Sequence, residues 1–275
     1  MPRDVDLYDT HYSHLAVDAQ TDVRRETYDE DLGQSSWITL AEAREWFRLL
    51  RLDAASRVLE VGCGSGGVTR RLAMETGASA VGVDINSHGI EAASAGAVRE
   101  GLSSRVSFQV VDAGTRLPFA DASFDAIFCN DAINHLPDRA DLFVDWHRVL
   151  KPRGRLLFTD PIVVTGPVTN EEIRVRSSIG FYLFVPAGCN ERLLENAGFV
   201  IQELRDVTDA EALVSARWRD ARARRRDALA AMEGQDGFDS LQRFLEAVCT
   251  LSRERRLSRF AYLAYKRASP EGLQS

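Results

Sequence analysis

Between residues 57 and 160 the chain alternates short apolar runs with stretches whose apolar residues recur every three or four positions. The runs Arg57–Val61, Ala80–Val83, Val106–Val111, Ala126–Cys129 and Arg155–Thr159 predict strands. Helices are predicted near Thr69–Thr76, His88–Glu100 and Arg139–Leu150. Such alternation implies an α/β fold, a mainly parallel sheet with helices on both faces. Lys151-Pro-Arg-Gly154 reads as a turn that ends one helix and launches the next strand.

The flanks read differently. The first 50 residues contain no strand run and close with a predicted helix, Thr39–Leu50, whose Leu40, Ala43, Trp46, Phe47 and Leu50 fall at helical spacing. After Asp160 comes a long connection, Val163–Phe184, with helical content around Asn170–Ile179. Glu191–Ala197 follows as a helix with Gly198 as its C-cap. Two late strands, Val200–Val207 and Ser258–Lys266, bracket an arginine-rich helical insert at about 210–256. Residues 1–50 and 163–195 therefore read as covers over a domain spanning 51–275.

Composition narrows the function classes. The 275 residues, 45% hydrophobic, suffice for one sizeable domain with appendages. A formal net charge of −7 argues against general affinity for nucleic acid or an anionic membrane. The basic stretch Arg217–Arg226 carries an interspersed Asp and reads as a solvated helix face. Cys63, Cys129, Cys189 and Cys249 lie about 60 residues apart, a spacing of neither a zinc site nor a disulfide framework, so no metal is expected. The N-terminus is polar, and no run approaches the roughly 20 apolar residues that span a bilayer, so a cytoplasmic location is expected. Self-association is left open.

Candidate chemistry concentrates where the first strand breaks into Gly62-Cys-Gly-Ser-Gly-Gly67 and the second ends in Asp84. Strand, glycine turn, helix and a carboxylate-ended strand make a nucleoside-binding half-site: glycines admit the ligand, the helix N-terminus favours its anionic end, and the acid takes two ribose hydroxyls. Gly62, Gly64 and Gly67 fit a dinucleotide pattern, whereas Gly62, Gly64 and Gly66 fit Gly-x-Gly-x-Gly. The loop alone does not separate a nicotinamide dinucleotide from S-adenosylmethionine. Tyr262 and Lys266, four apart as in short-chain reductases, lie in a late strand-like run away from that cleft.

The order of motifs is more specific. Glu60-Val-Gly-Cys-Gly-Ser-Gly66, Asp84, Val111-Asp-Ala113 and Leu117-Pro-Phe-Ala-Asp-Ala-Ser-Phe-Asp125 occur in sequence. Together they resemble the class I S-adenosylmethionine-dependent methyltransferases, in particular the ubiquinone/menaquinone-biosynthesis and small-molecule N- and O-methyltransferase branch. The resemblance covers residues 55–160 strongly and 195–266 weakly. It implies a Rossmann-like seven-stranded, mostly parallel sheet with an antiparallel last strand, and S-adenosylmethionine as cofactor. It also implies that Glu60 supports the loop, the Gly62–Gly66 backbone with Cys63 meets the methionine portion, Asp84 accepts from the ribose, and Ile85 packs on the ring. Asp112 with the Ala113 amide reads the adenine edge, and Asn130 lies beside the methionine amino group.

Methyl transfer from a sulfonium needs alignment and exclusion of water, and a base only where the acceptor loses a proton. Asn134 and His135, beyond the fourth strand, are the candidate catalytic residues, with Asp160 at the end of the fifth strand nearby. Some sugar O-methyltransferases of this branch carry two histidines there; Asn134, which cannot act as a base, replaces the first, so the chain departs from that pattern and His135 is left as the candidate base. Tyr8, His11, Tyr12, Trp37, Arg176, Phe181 and Tyr182 would close over the donor and shape the acceptor pocket, with Tyr12 and Tyr182 foremost. The function expected is methylation of an amine, hydroxyl or carboxylate of a small molecule in secondary or amino-acid metabolism. The alternatives are non-methyl use of the sulfonium, such as cyclisation releasing methylthioadenosine or methylation coupled to cyclisation, and a non-enzymatic sensor. A macromolecular target would call for an Asn/Asp-Pro-Pro-aromatic motif, where the chain has Asn130-Asp-Ala-Ile.

Overall fold

The computed structural model describes residues 12, 15 and 17–268, so the cover candidates Tyr8 and His11 lie outside the described residues. Strands β1 (Arg57–Val61), β2 (Ser79–Asp84), β3 (Val106–Val110), β4 (Phe124–Cys129), β5 (Leu150–Val164), β7 (Phe199–Asp206) and β8 (Leu257–Lys266) form one sheet in the order β3-β2-β1-β4-β5-β8-β7. A two-residue strand, β6 (Val185–Pro186), pairs with the end of β5 off that path. β1 to β5 run parallel, and β8, last in the chain, inserts antiparallel between β5 and β7. The sheet is thus the expected one. The crevice at its switch point opens beyond the carboxyl ends of β1 and β4.

The predicted turn at Lys151–Gly154 is instead part of β5, which starts at Leu150. The β4–β5 register shifts there, and Arg153 takes a left-handed φ of 68°, so the chain bulges without leaving the sheet.

Helices cover both faces. Leu142, Phe143, Trp146 and Val149 of α5 (Arg139–Val149) and Leu194 of α7 (Cys189–Asn196) pack on Ile127, Leu156 and Phe158. On the other face α2 (Leu40–Leu50) buries Ala43, Trp46, Phe47 and Leu50 against Phe128, Leu157 and Leu263, beside α3 (Gly67–Thr76). Thr39 caps α2 by accepting from the Glu42 amide at 3.2 Å. Helix α4 (Ser87–Arg99) flanks β2 and β3.

A third apolar cluster lies off the sheet. Helices α1 (Asp18–Thr27), α8 (Thr208–Ala223), α9 (Arg226–Glu233) and α10 (Gln235–Arg253) form a cap, with α6 (Asn170–Arg176) against α10. Its core joins Tyr28 and Trp37 to Val214, Leu241, Phe244, Leu245 and Val248. The arginine-rich stretch is neutralised within this cap: Arg217 pairs with Asp29, Arg219 with Glu246, Arg222 with Glu233, Arg224 and Arg225 with Glu26, and Arg226 with Asp239. Among the described residues, no helix is long and apolar enough to cross a membrane.

Candidate active site

The glycine turn follows β1 directly. Gly62 (φ 74°) and Gly64 (φ 51°) hold left-handed backbone. A β-carbon on Gly62 would strike Ala132, and one on Gly64 the Tyr12 hydroxyl. Backbone amides of Gly62 and Cys63 donate to the Val83 carbonyl at 2.8 and 3.1 Å, which ties the turn to β2. Glu60 accepts from the Thr69 hydroxyl at 2.5 Å, locking β1 to the first turn of α3, and burial pushes its carboxyl up to about 8. Asp84 accepts from the Gly64 amide at 2.8 Å and the Asn86 amide at 2.9 Å. Burial raises its pKa, and these backbone amides pull against the rise.

These residues wall a cleft holding about 1170 Å³ of empty space, part of it open to solvent. Glu60, Gly62, Cys63, Gly64, Asp84, Ile85, Asp112, Ala113 and Asn130 all line it. Ile85 presents an apolar face there while 42% exposed, and Asp112 is braced by the Gly114 amide at 2.9 Å. Tyr12 lies across the glycine turn, its hydroxyl 3.2 Å from that of Ser35; burial drives its pKa far up. Gly66 stands behind the turn, capping α3, and does not line the cleft.

The floor is a buried polar network. Asp131, in left-handed backbone (φ 52°), accepts from Arg259 Nε at 2.7 Å, the Thr159 hydroxyl at 2.7 Å and the Trp37 amide at 3.0 Å. Arg259 also reaches Glu42 at 2.8 Å and Asn130 Oδ1 at 3.1 Å. One carboxylate thus joins the N-terminal cover, β5 and β8.

Asp131 and His135 also line a second cavity, which holds about 670 Å³ and includes Trp37, Asn134, Arg176, Tyr182, Trp218 and Phe244. His135 Nδ1 lies 2.9 Å from the Phe181 carbonyl oxygen. A carbonyl only accepts, so Nδ1 carries the proton. Nε2 keeps the lone pair and accepts from Asn134 Nδ2 at 3.1 Å. Burial pushes the His135 pKa down to about 4. The Tyr182 ring meets the imidazole edge-on at 4.6 Å.

Residues 59–158 match a family model described as a methyltransferase domain. The methyltransferase GfsG of Streptomyces halstedii is 38% identical over 186 residues, 64% of this chain and 66% of that protein. The 27-O-demethylrifamycin SV methyltransferase of Amycolatopsis mediterranei is 33% identical over 159 residues, 54% of this chain and 58% of that one. The chain carries a class I S-adenosylmethionine-dependent methyltransferase domain. The matched stretches take in only 66% and 58% of those relatives' lengths. Among solved structures, the [4+2]-cyclase SpnF superposes with a TM-score of 0.69 at 25% identity, covering 88% of this chain and 87% of SpnF.

The methyltransferase cofactor, S-adenosylmethionine, fits the donor cleft: the turn leaves no room for β-carbons, a carboxylate ends β2, and an apolar face waits beside it. The four catalytic candidates divide between the cavities. Tyr12 stands in the donor cleft, Asn134 and Tyr182 in the second, and His135 in both. Phe181 faces the donor cleft; Trp37 and Arg176 face the second. Asp160, expected beside Asn134 and His135 at the strand ends, stands apart from them. It is fully buried against Arg139 at 2.5 Å and Asn190 at 2.9 Å and lines neither cavity, so it serves as an internal counter-ion. Tyr262 is buried and stacks on Phe158 at 4.6 Å, while the partly buried Lys266 donates to the His147 and Leu150 carbonyls; neither lines either cavity. Sequence reasoning missed Asp131, Arg259 and Glu42. Arg259, a lone charge in the apolar run Leu257–Tyr265, was the available signal.

Proposed function

We propose that this methyltransferase methylates a hydroxyl group of a small molecule with S-adenosylmethionine as donor. The observation that carries this reading is His135 at the junction of the two cavities, with its proton fixed on Nδ1. On this reading Glu60, Gly62, Cys63, Gly64 and Gly66 shape the seat of the methionine portion, and Asn130 lies beside its amino group. Asp84 takes the ribose hydroxyls, Ile85 packs on the adenine, and Asp112 with Ala113 reads its edge. When bound, S-adenosylmethionine supplies a methyl group on a sulfonium leaving group, which the acceptor displaces in line. Seated first against Asn134 Oδ1, the acceptor hydroxyl then takes the place of Asn134 Nδ2 at His135 Nε2 and passes its proton to that nitrogen. With its pKa near 4, His135 is neutral at ordinary pH and a weak base, so the proton leaves as the new bond forms. An amine acceptor would need no such base. Tyr12 closes the donor cleft, Tyr182 holds the imidazole edge, and residues 17–50 and 163–195 cover the site against water. The 27-O-demethylrifamycin SV methyltransferase, an O-methyl enzyme by name, supports the choice of hydroxyl.

The test is incubation with methyl-labelled S-adenosylmethionine and a panel of hydroxylated and aminated metabolites, read by mass spectrometry. S-adenosylhomocysteine with a labelled methyl ether is expected; label found only on nitrogen would overturn the hydroxyl assignment. A second reading, cyclisation, rests on the likeness to the [4+2]-cyclase SpnF. It predicts a product isomeric with its substrate while the donor stays intact, or methylthioadenosine from the donor alone.

A further inference from the structure

The second cavity contains two buried polar atoms with no hydrogen-bond partner among the described residues, Arg176 Nη1 and Asn134 Oδ1. Each of these residues is 1% exposed. Arg176 closes α6 and its guanidinium is surrounded by aromatic rings: Phe244 at 4.8 Å, Tyr182 at 5.1 Å and Trp37 at 5.9 Å. Its other terminal nitrogen, Nη2, reaches Glu211 at 3.3 Å, and Glu211 also accepts from Ser252 at 3.1 Å. Arg176 lines the cavity, and its Nη1 has no acceptor among the described residues. A buried donor without an acceptor weakens a fold, and the penalty is greater for a charged group.

The Asn134 amide is oriented by the same logic. His135 Nε2 holds a lone pair and takes the Nδ2 end, which turns Oδ1 away from the imidazole as an unanswered acceptor. The cavity therefore offers a donor within its aromatic wall and an acceptor beside His135. A molecule that satisfies both carries an acceptor oxygen at one end, a hydroxyl at the other and an apolar body between.

We propose that the second cavity binds the methyl acceptor and selects a hydroxy acid, its carboxylate received by Arg176 Nη1 and its hydroxyl placed at Asn134 and His135. The assignment rests on the hydroxyl-methylating reading above. A carboxylate is favoured over a neutral carbonyl by charge. Glu211 meets Arg176 only through Nη2, and burial raises its carboxyl pKa, which weakens its hold on the guanidinium charge; Nη1 stays open to a second, charged acceptor. Asp131 and Glu233, the acids that line the cavity, are engaged by Arg259 and Arg222.

Isothermal titration of the full chain saturated with S-adenosylhomocysteine tests this, with 3-(4-hydroxyphenyl)propionate and its neutral amide as probes. The acid should bind on the order of tenfold more tightly than the amide. Arg176→Gln should erase that preference, and Arg176→Lys should keep part of it because the charge persists. Equal affinities, binding of neither probe, or a preference surviving Arg176→Gln would overturn the proposal. Should Arg176→Gln fail to fold, the acid-against-amide comparison on the unaltered chain still decides. Titration with S-adenosylhomocysteine alone separates the two readings. Donor binding without an acid preference sinks only the acceptor assignment, whereas absence of donor binding sinks the methyltransferase reading itself.

Discussion

Asp84 sits where two demands meet: its oxygens hold the Gly64 and Asn86 amides and, in the proposed complex, the ribose hydroxyls as well. A carboxylate has acceptor sites for both sets. Asp84→Ala removes charge-assisted hydrogen bonds of about 1.5–3 kcal/mol each, so S-adenosylhomocysteine should bind at least about a hundredfold more weakly, with an unchanged circular dichroism spectrum. Retained affinity would refute the ribose role. His135 makes a different kind of prediction. With its pKa near 4, turnover should be flat from neutral pH down to about 6 and fall as pH approaches 4 and the lone pair is lost. His135→Gln should lower kcat by about two orders of magnitude or more while donor affinity holds; an unaltered kcat would remove His135 as the base. These residues were legible because their chemistry is local: a glycine turn, a carboxylate ending an apolar strand, and a polar pair just beyond another. Asp131 and Arg259 were not, since they stand far apart in the chain and meet only because β8 inserts beside β5.

Elements meet at buried charge as well as at apolar faces. Arg139 opens α5, Asp160 lies in β5 and Asn190 begins α7, so one ion pair with its amide fixes two helices to the sheet end that borders the second cavity. Arg139 also donates to the Leu183 carbonyl at 3.1 Å, extending the tie to the segment that carries Phe181 and Tyr182. Asp160→Ala leaves a buried guanidinium without its counter-ion and should cost about 3–5 kcal/mol in urea unfolding; a loss below about 1 kcal/mol would mean that water compensates Arg139. Periodicity predicted α2, α5 and the parallel strands because an amphipathic stripe or a buried run records which face is covered. It missed the bulge in β5, where Pro152 and Gly154 suggest a chain reversal and the β4 pairing instead carries the strand through.

At the scale of the whole molecule, stability and pH are linked through groups the fold buries. Glu60 and Glu211 rise from 4.5 to about 8, so the folded chain holds more protons than the unfolded one between those values. Their contribution is complete below 4.5 and is lost as pH rises through 8. His135, lowered from 6.5 to about 4, acts oppositely: its contribution is complete above 6.5 and fades as pH falls toward 4. The melting temperature should therefore climb as pH drops from 9 to 6.5, and Glu211→Gln should flatten that slope. A melting temperature that rises with pH over this range would contradict the burial of both acids. Asp131 has a consequence of another kind. It borders both cavities and grips the Trp37 amide and Arg259 from one carboxylate. Any adjustment that one occupant imposes on it is transmitted to the other. Thermodynamic reciprocity then requires that the factor by which cofactor product alters acceptor affinity equal the factor by which acceptor alters product affinity. The order in which the two ligands arrive can change the route to the ternary complex, but not its free energy.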